Sequence, residues 1–172
     1  MLKPNFARYR GATTASALLL LLAAIWSQSA SGEDFFDGLT AMKASRFEEA
    51  RQIFLPLAQG GNADAEELIG VMYAMGLGVN RDDERAFDWY LRASLKGHPG
   101  AQSGIGWYYE VGRGIPAPDL VRAYTWYVLS AIGGDPDAAI SMNEVVKKMT
   151  PEQIAKAEIL ISDYKDHLYP ED

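Results

Sequence analysis

The run Gly70–Val71–Met72–Tyr73–Ala74–Met75–Gly76–Leu77–Gly78–Val79 is echoed by Gly106–Trp107–Tyr108–Tyr109–Glu110–Val111–Gly112–Arg113–Gly114–Ile115, with each glycine and the final tyrosine displaced by 36 residues. The echo then continues at a displacement of 37, with Asp82, Ala86, Trp89, Tyr90 and Gly97 answered by Asp119, Ala123, Trp126, Tyr127 and Gly134. The extra residue falls around Pro116–Ala117–Pro118. A period in this range belongs to stacked helical hairpins, in which each unit buries its apolar face against its neighbours. The repeat therefore predicts an all-α solenoid before any single residue is assigned a role.

Each unit reads as two helices. The first spans about 63–75, with Ala65, Ile69, Gly70 and Tyr73 on one helical stripe. Gly70 offers a bare backbone for close approach of the second helix, and Gly106 does the same one unit later. Gly76 and Gly78, like Gly112 and Gly114, end the first helix and allow left-handed turns that a Cβ penalises. Asp82 or Asp83 caps the second helix, whose core face is Ala86, Trp89, Tyr90 and Ala93; Asp119, Ala123, Trp126 and Ala131 take those parts in the next unit. Trp89 and Trp126 are expected to be mostly buried packing residues. The full hairpins occupy 63–97 and 99–134, a degenerate unit with a shorter turn occupies 36–61, and capping helices fill 136–167. Pro56 is expected to kink the degenerate unit, and Thr150–Pro151–Glu152–Gln153 opens the final helix with a capping box. About eight helices are expected in all.

Residues 1–32 stand apart from this repeat. Lys3, Arg8 and Arg10 precede 12 residues, Ala15 to Trp26, that are almost wholly apolar, and the small residues Ala30–Ser31–Gly32 follow. That order predicts a secretory signal peptide, cut to leave a chain beginning near Glu33 and running to 172 as one repeat domain. The apolar run falls short of the ~20 residues that span a bilayer, so stable membrane insertion is not expected after cleavage. An uncleaved h-region makes the alternative an inner-membrane-tethered assembly subunit. Periplasmic or secreted location follows from export. Beyond residue 32 the chain carries 13 Lys and Arg against 23 Asp and Glu, which disfavours nucleic acid and anionic lipid as partners. It has no cysteine, so packing alone holds the fold.

The pattern Ala65–x3–Ile69–Gly70–x2–Tyr73–x2–Gly76–x–Gly78–Val79–x2–Asp82–x3–Ala86–x2–Trp89–x3–Ala93–x3–Gly97 resembles the Sel-one-like repeat (SLR), a relative of the tetratricopeptide repeat. Ala101, Gly106, Tyr109, Gly112, Gly114, Asp119, Ala123, Trp126 and Gly134 match it again. The resemblance covers roughly 36–165 and implies a TPR/SLR-like superhelix with an adaptor or scaffold role at the bacterial envelope. It also implies a concave groove lined by the first helix of each unit: Asp64, Glu67, Val71 and Ala74, then Gly100, Ser103, Trp107 and Glu110, then Asp137, Ile140, Glu144 and Lys147. Glu67, Val71, Ser103, Trp107, Glu110 and Glu144 are the candidate partner contacts. Trp107 leads them because the repeat does not require an aromatic there, and aromatic anchors often carry binding energy; the alternative is that the C-terminal helix covers it.

No residues suggest catalysis, a metal or a cofactor. The paired glycines follow a helix and lack the strand–turn–helix context of a phosphate loop. His98 and His167 are too few and too far apart for zinc and are expected to be solvated. Ser103 lacks the flanking glycines of a nucleophile elbow. Glu48–Glu49 and Asp82–Asp83–Glu84 read as caps and solvated faces. A hydrolase of the cysteine-rich, β-lactam-binding SLR type is the enzymatic alternative, disfavoured by the absence of cysteine. The leading expectation is a non-enzymatic module that binds a protein or peptide in an acidic groove.

Overall fold

Glycine turns, aspartate caps and a helical apolar period join the chain into successive antiparallel hairpins. The computed structural model describes residues 32–170, so the signal-peptide expectation lies outside the described residues. Its helices are α1 (32–43), α2 (Phe47–Gln59), α3 (Ala63–Met75), α4 (Asp83–Ser94), α5 (Pro99–Val111), α6 (Leu120–Ile132), α7 (Ala138–Val146) and α8 (Pro151–Leu168). No strand occurs among the described residues.

The caps fall where the sequence places them. Asp82 accepts a hydrogen bond from the Arg85 amide and Asp119 from the Arg122 amide, satisfying N–H groups that the first turn leaves free. Thr150 and Gln153 form the reciprocal capping box of α8. In α2, Pro56 does not interrupt the helix, which continues to Gln59. The carbonyl that loses its donor to the proline ring belongs to Gln52, an exposed residue.

Two glycine contacts explain the repeat. Within a unit, a Cβ on Gly70 would stand 3.3 Å from the Tyr90 ring, and one on Gly106 only 2.9 Å from the Tyr127 ring. Gly38 holds the same relation to Phe54, at 2.5 Å, which places the degenerate hairpin in register with the full ones. Between units, the second turn glycine docks on the start of the preceding unit's second helix. A Cβ on Gly78 would meet the Phe47 backbone at 2.7 Å, and one on Gly114 would collide with the Asp83 carbonyl. Gly78 and Gly114 also have φ of 67° and 66°, so close approach and backbone handedness both demand glycine.

The buried aromatics differ from expectation in one respect. Trp126 is 2% exposed, but Trp89 is only partly buried and Tyr90, at 8%, takes the core of the first full unit. The Tyr90 ring lies between Gly70 of α3 and Gly104 of α5, whose absent side chains leave room for it. Trp126 is covered because Tyr164 of α8 packs on it at 4.9 Å. Trp89 instead carries the Arg92 guanidinium over its ring at 4.4 Å. Ala131 is likewise only partly buried, because Ser130 aligns with Ala93 and turns inward.

A polar socket recurs beside this core. In the first unit the fully buried Glu66 carboxylate receives Lys96 Nζ at 2.6 Å, and the same ammonium donates to the Gly61 carbonyl at 2.8 Å. One unit on, Gln102 stands for Glu66, Gly97 for Gly61, and Gly133 supplies no side chain. The Tyr169 hydroxyl fills the space, donating to Gln102 Oε1 at 2.9 Å. A neutral donor thus accompanies a neutral acceptor where α8 ends the stack.

Candidate protein-binding cleft

Residues of α3 and α5 line a common cleft over α4, and the turn after each of the two helices contributes one arginine to it. The resulting cleft has a volume of about 340 Å³. Ala74 and Met75 form one wall, Gly104 and Trp107 the other, and the Tyr90 and Tyr108 rings the floor. Arg81, Asp83 and Arg113 sit at its mouth. Trp107 is 41% exposed and Met75 69%, both high for large apolar side chains. The C-terminal helices leave Trp107 exposed: α7 and α8 both pack chiefly on α6.

Local contacts fix the Trp107 ring without burying it. It stands edge-on to Tyr108, 5.2 Å between centroids, with the Arg113 guanidinium 5.6 Å from its own centroid. Arg113 Nε is 3.5 Å from Asp83 Oδ2, and Arg81 Nη2 donates to Asp83 Oδ1 at 3.1 Å. The Asp83 carboxylate, at the start of α4, therefore holds two guanidinium groups together. Burial, reinforced by Asp83, pushes the Tyr108 hydroxyl up to about 12, so it remains a donor facing that carboxylate.

The other expected contacts are committed elsewhere. Glu110 accepts from the Tyr127 hydroxyl at 3.0 Å and from Lys148 Nζ at 2.7 Å, tying α5 to α6 and to the segment after α7. Ser103 bonds to Ser130 at 2.9 Å and to Asp135, while Ser130 also reaches the Pro99 carbonyl. Burial opposes the Asp135 charge, but hydrogen bonds from Ser103, Ser130 and the Asp137 and Ala138 backbone outweigh it and hold that carboxyl low. Val71 packs half-buried against the aromatic core. Glu144 pairs with Lys147 on an exposed turn of α7, and Ile140 beside it is 65% exposed. Glu67 lies half-buried near Gly100; burial raises its carboxyl above the ordinary value, His98 opposes and Asp64 adds to the rise.

These positions correct two expectations. The cleft beside Trp107 is not acidic, because neither Glu67 nor Glu110 reaches it and two arginines face one aspartate there. His98 is not a solvated residue: its Nδ1 accepts from the Ala101 amide as the cap of α5, and Nε2 approaches Asp64 at 3.1 Å. Among the described residues no three His, Cys, Asp or Glu side chains converge as metal ligands, and no helix is long and apolar enough to cross a membrane.

Arg81, Asp83 and Arg113 were invisible to the groove register because they do not repeat. Arg113 aligns with Leu77, and Arg81 with the Ala117–Pro118 insertion. The signal lies in the docking of each glycine turn on the preceding unit's second helix, which brings Arg113 to Asp83.

The Sel1 repeat family profile matches residues 63–98 and 99–135, the two full hairpins. A solved Sel1 repeat protein from Oxalobacter formigenes is 32% identical, with a TM-score of 0.61 over 73% of this chain and 97% of that one. A protective antigen of uropathogenic Escherichia coli with an SLR fold has a TM-score of 0.78 at 24% identity, covering 84% of this chain and 32% of that one. The ERAD-associated E3 ubiquitin-protein ligase component HRD3A of Arabidopsis thaliana is 42% identical over 77 residues, 43% of this chain and 11% of the relative. The chitin synthase regulator SKT5 of Saccharomyces cerevisiae is 38% identical over 61 residues, 36% of this chain and 8% of the relative. The chain thus spans only about a tenth of these curated relatives. Its glycine-locked hairpins, the matching profile and the near-complete coverage of a solved homologue place the chain in the Sel1 repeat family.

Proposed function

We propose that the chain is a non-enzymatic interaction module of the bacterial envelope that binds a segment of a partner protein in the cleft between α3 and α5. The observation that carries this reading is the exposure of Trp107 at 41% on a cleft wall, fixed by Tyr108 and Arg113 yet left uncovered. A rigid aromatic in a concavity loses little side-chain entropy on binding and buries a large area, the usual profile of an interface anchor. The relatives named above include a ubiquitin-ligase component and a chitin synthase regulator, which agrees with Sel1 repeats acting as interaction scaffolds. Export rests on the order of residues in 1–32.

A photo-crosslinking residue at Met75, on the cleft wall, tests the binding site against the same residue at Ile159, on α8. Both positions are exposed, at 69% and 64%. The expected result is a discrete adduct from position 75 that Trp107→Ala abolishes, with none from 159. Adducts from 159 alone would move the site to α8. N-terminal sequencing of the exported form tests cleavage near Glu33, and an intact N-terminus in the membrane fraction would favour a tethered subunit.

A further inference from the structure

Building on that reading, we infer that the Trp107 cleft selects a partner peptide carrying a carboxylate side chain next to an apolar one. The cleft joins two chemistries. Trp107, Met75 and Ala74 offer an apolar wall, and Arg81 with Arg113 offers two guanidinium groups beside it.

Charge gives this pairing its meaning. The chain as a whole has a formal charge of −7, yet the charged residues of the cleft are Arg81, Arg113 and Asp83, a local excess of one positive charge. An acidic partner is repelled by the surface as a whole and attracted by the two arginines at this cleft, which favours a specific orientation over diffuse attachment. Both guanidiniums remain near half exposed, at 48% and 46% of their side-chain surface, despite sharing Asp83. Arg113 Nε stands 3.5 Å from Asp83 Oδ2, a loose ion pair that leaves the guanidinium partly exposed. A guanidinium fork matches a carboxylate with two parallel hydrogen bonds, a geometry that a lysine cannot supply. Asp83 acts as an internal stand-in that keeps the two forks together while the cleft is empty. A basic peptide meets the opposite situation, with two cations at the mouth and its apolar side chain unable to reach Trp107 without passing them.

The experiment uses three fluorescein-labelled hexapeptides with the same apolar leucine beside glutamate, glutamine or lysine, titrated by anisotropy into the full exported chain. The glutamate peptide is expected to bind about tenfold tighter than the glutamine one, the scale of one charge-assisted hydrogen bond, and the lysine peptide weakest. Arg113→Gln, on an exposed turn, should remove that preference while leaving the thermal midpoint unchanged. Asp83→Asn should tighten the glutamate peptide severalfold by releasing both arginines, an effect that a merely structural Asp83 would not produce. Equal binding of the glutamate and glutamine peptides, both weakened by Trp107→Ala, overturns the acidic preference and leaves the cleft reading standing. No saturable binding of any of the three, or binding that ignores Trp107→Ala, overturns both.

Discussion

Replacing Lys96 by methionine should cost the fold about 1.5–3 kcal/mol, because it strands a carboxylate that has no water around it. Glu66 is fully buried and takes its best-directed hydrogen bond from Lys96 Nζ at 2.6 Å. Arg92 Nη2 lies 3.0 Å from the other oxygen, close enough for attraction but not aligned as a donor. Removing one partner from a buried pair usually costs about 3–5 kcal/mol. Here Arg92 remains, and the Lys96 side chain is 39% exposed, so water can partly replace it and the expected loss is smaller. The second unit supplies the compensating change, since Gln102 occupies the Glu66 position with a neutral hydroxyl as donor. Glu66→Gln in the Lys96→Met background should therefore recover most of the loss. Urea unfolding of the parent, both single variants and the double variant gives the coupling energy, expected to exceed about 1 kcal/mol. Additive losses, within about 0.3 kcal/mol, would refute the claim that Lys96 serves Glu66.

Gly106→Ala should destabilise by about 1–2 kcal/mol, since the new methyl meets a Tyr127 ring that is 3% exposed and anchored by Glu110. Gly70→Ala, with 3.3 Å available, should stay within about 1 kcal/mol of the parent because helix propensity offsets the crowding; equal effects in urea unfolding would contradict the two distances. Tyr169→Phe leaves the buried Gln102 without its donor and should lower stability by about 1–2 kcal/mol, with hydrogen-exchange protection lost first in α8; unchanged protection would remove Tyr169 from its role in closing the stack. For Glu67 the folded-state pKa lies above the unfolded one, so the folded chain binds more protons in that interval and stability falls as pH rises through it. Glu67→Gln should flatten that fall and stabilise the chain at neutral pH, as thermal midpoints across the interval will reveal.

The hairpin boundaries were legible because glycine, aspartate and alanine each answer a local geometric demand that repeats with the unit. Gly76 and Gly112 end their helices in the left-handed region, and Asp82 and Asp119 cap the next ones, with no help from distant contacts. Trp89 misled because equal repeat positions have unequal surroundings: burial of Trp126 depends on Tyr164 from α8, outside the repeat. His98 misled for a related reason, since capping of α5 sets its role, not its side-chain type. Trp107 could be singled out because it breaks the pattern without packing demand. The arginines could not, because their meeting at Asp83 depends on how one unit's turn lands on another unit's helix. Glu110 looked free on its own helix and is in fact held by Tyr127 and by Lys148, 38 residues away.

The central claim is that Trp107 serves a partner and not the fold, and Trp107→Ala measured for stability and binding on one preparation tests it most directly. The account predicts a thermal midpoint within a few degrees of the parent, consistent with a side chain 41% exposed, and a loss of about 1–3 kcal/mol in binding of the glutamate peptide or the crosslinked partner. A stability loss of about 3–5 kcal/mol with undiminished binding, the signature of a core aromatic, would contradict it.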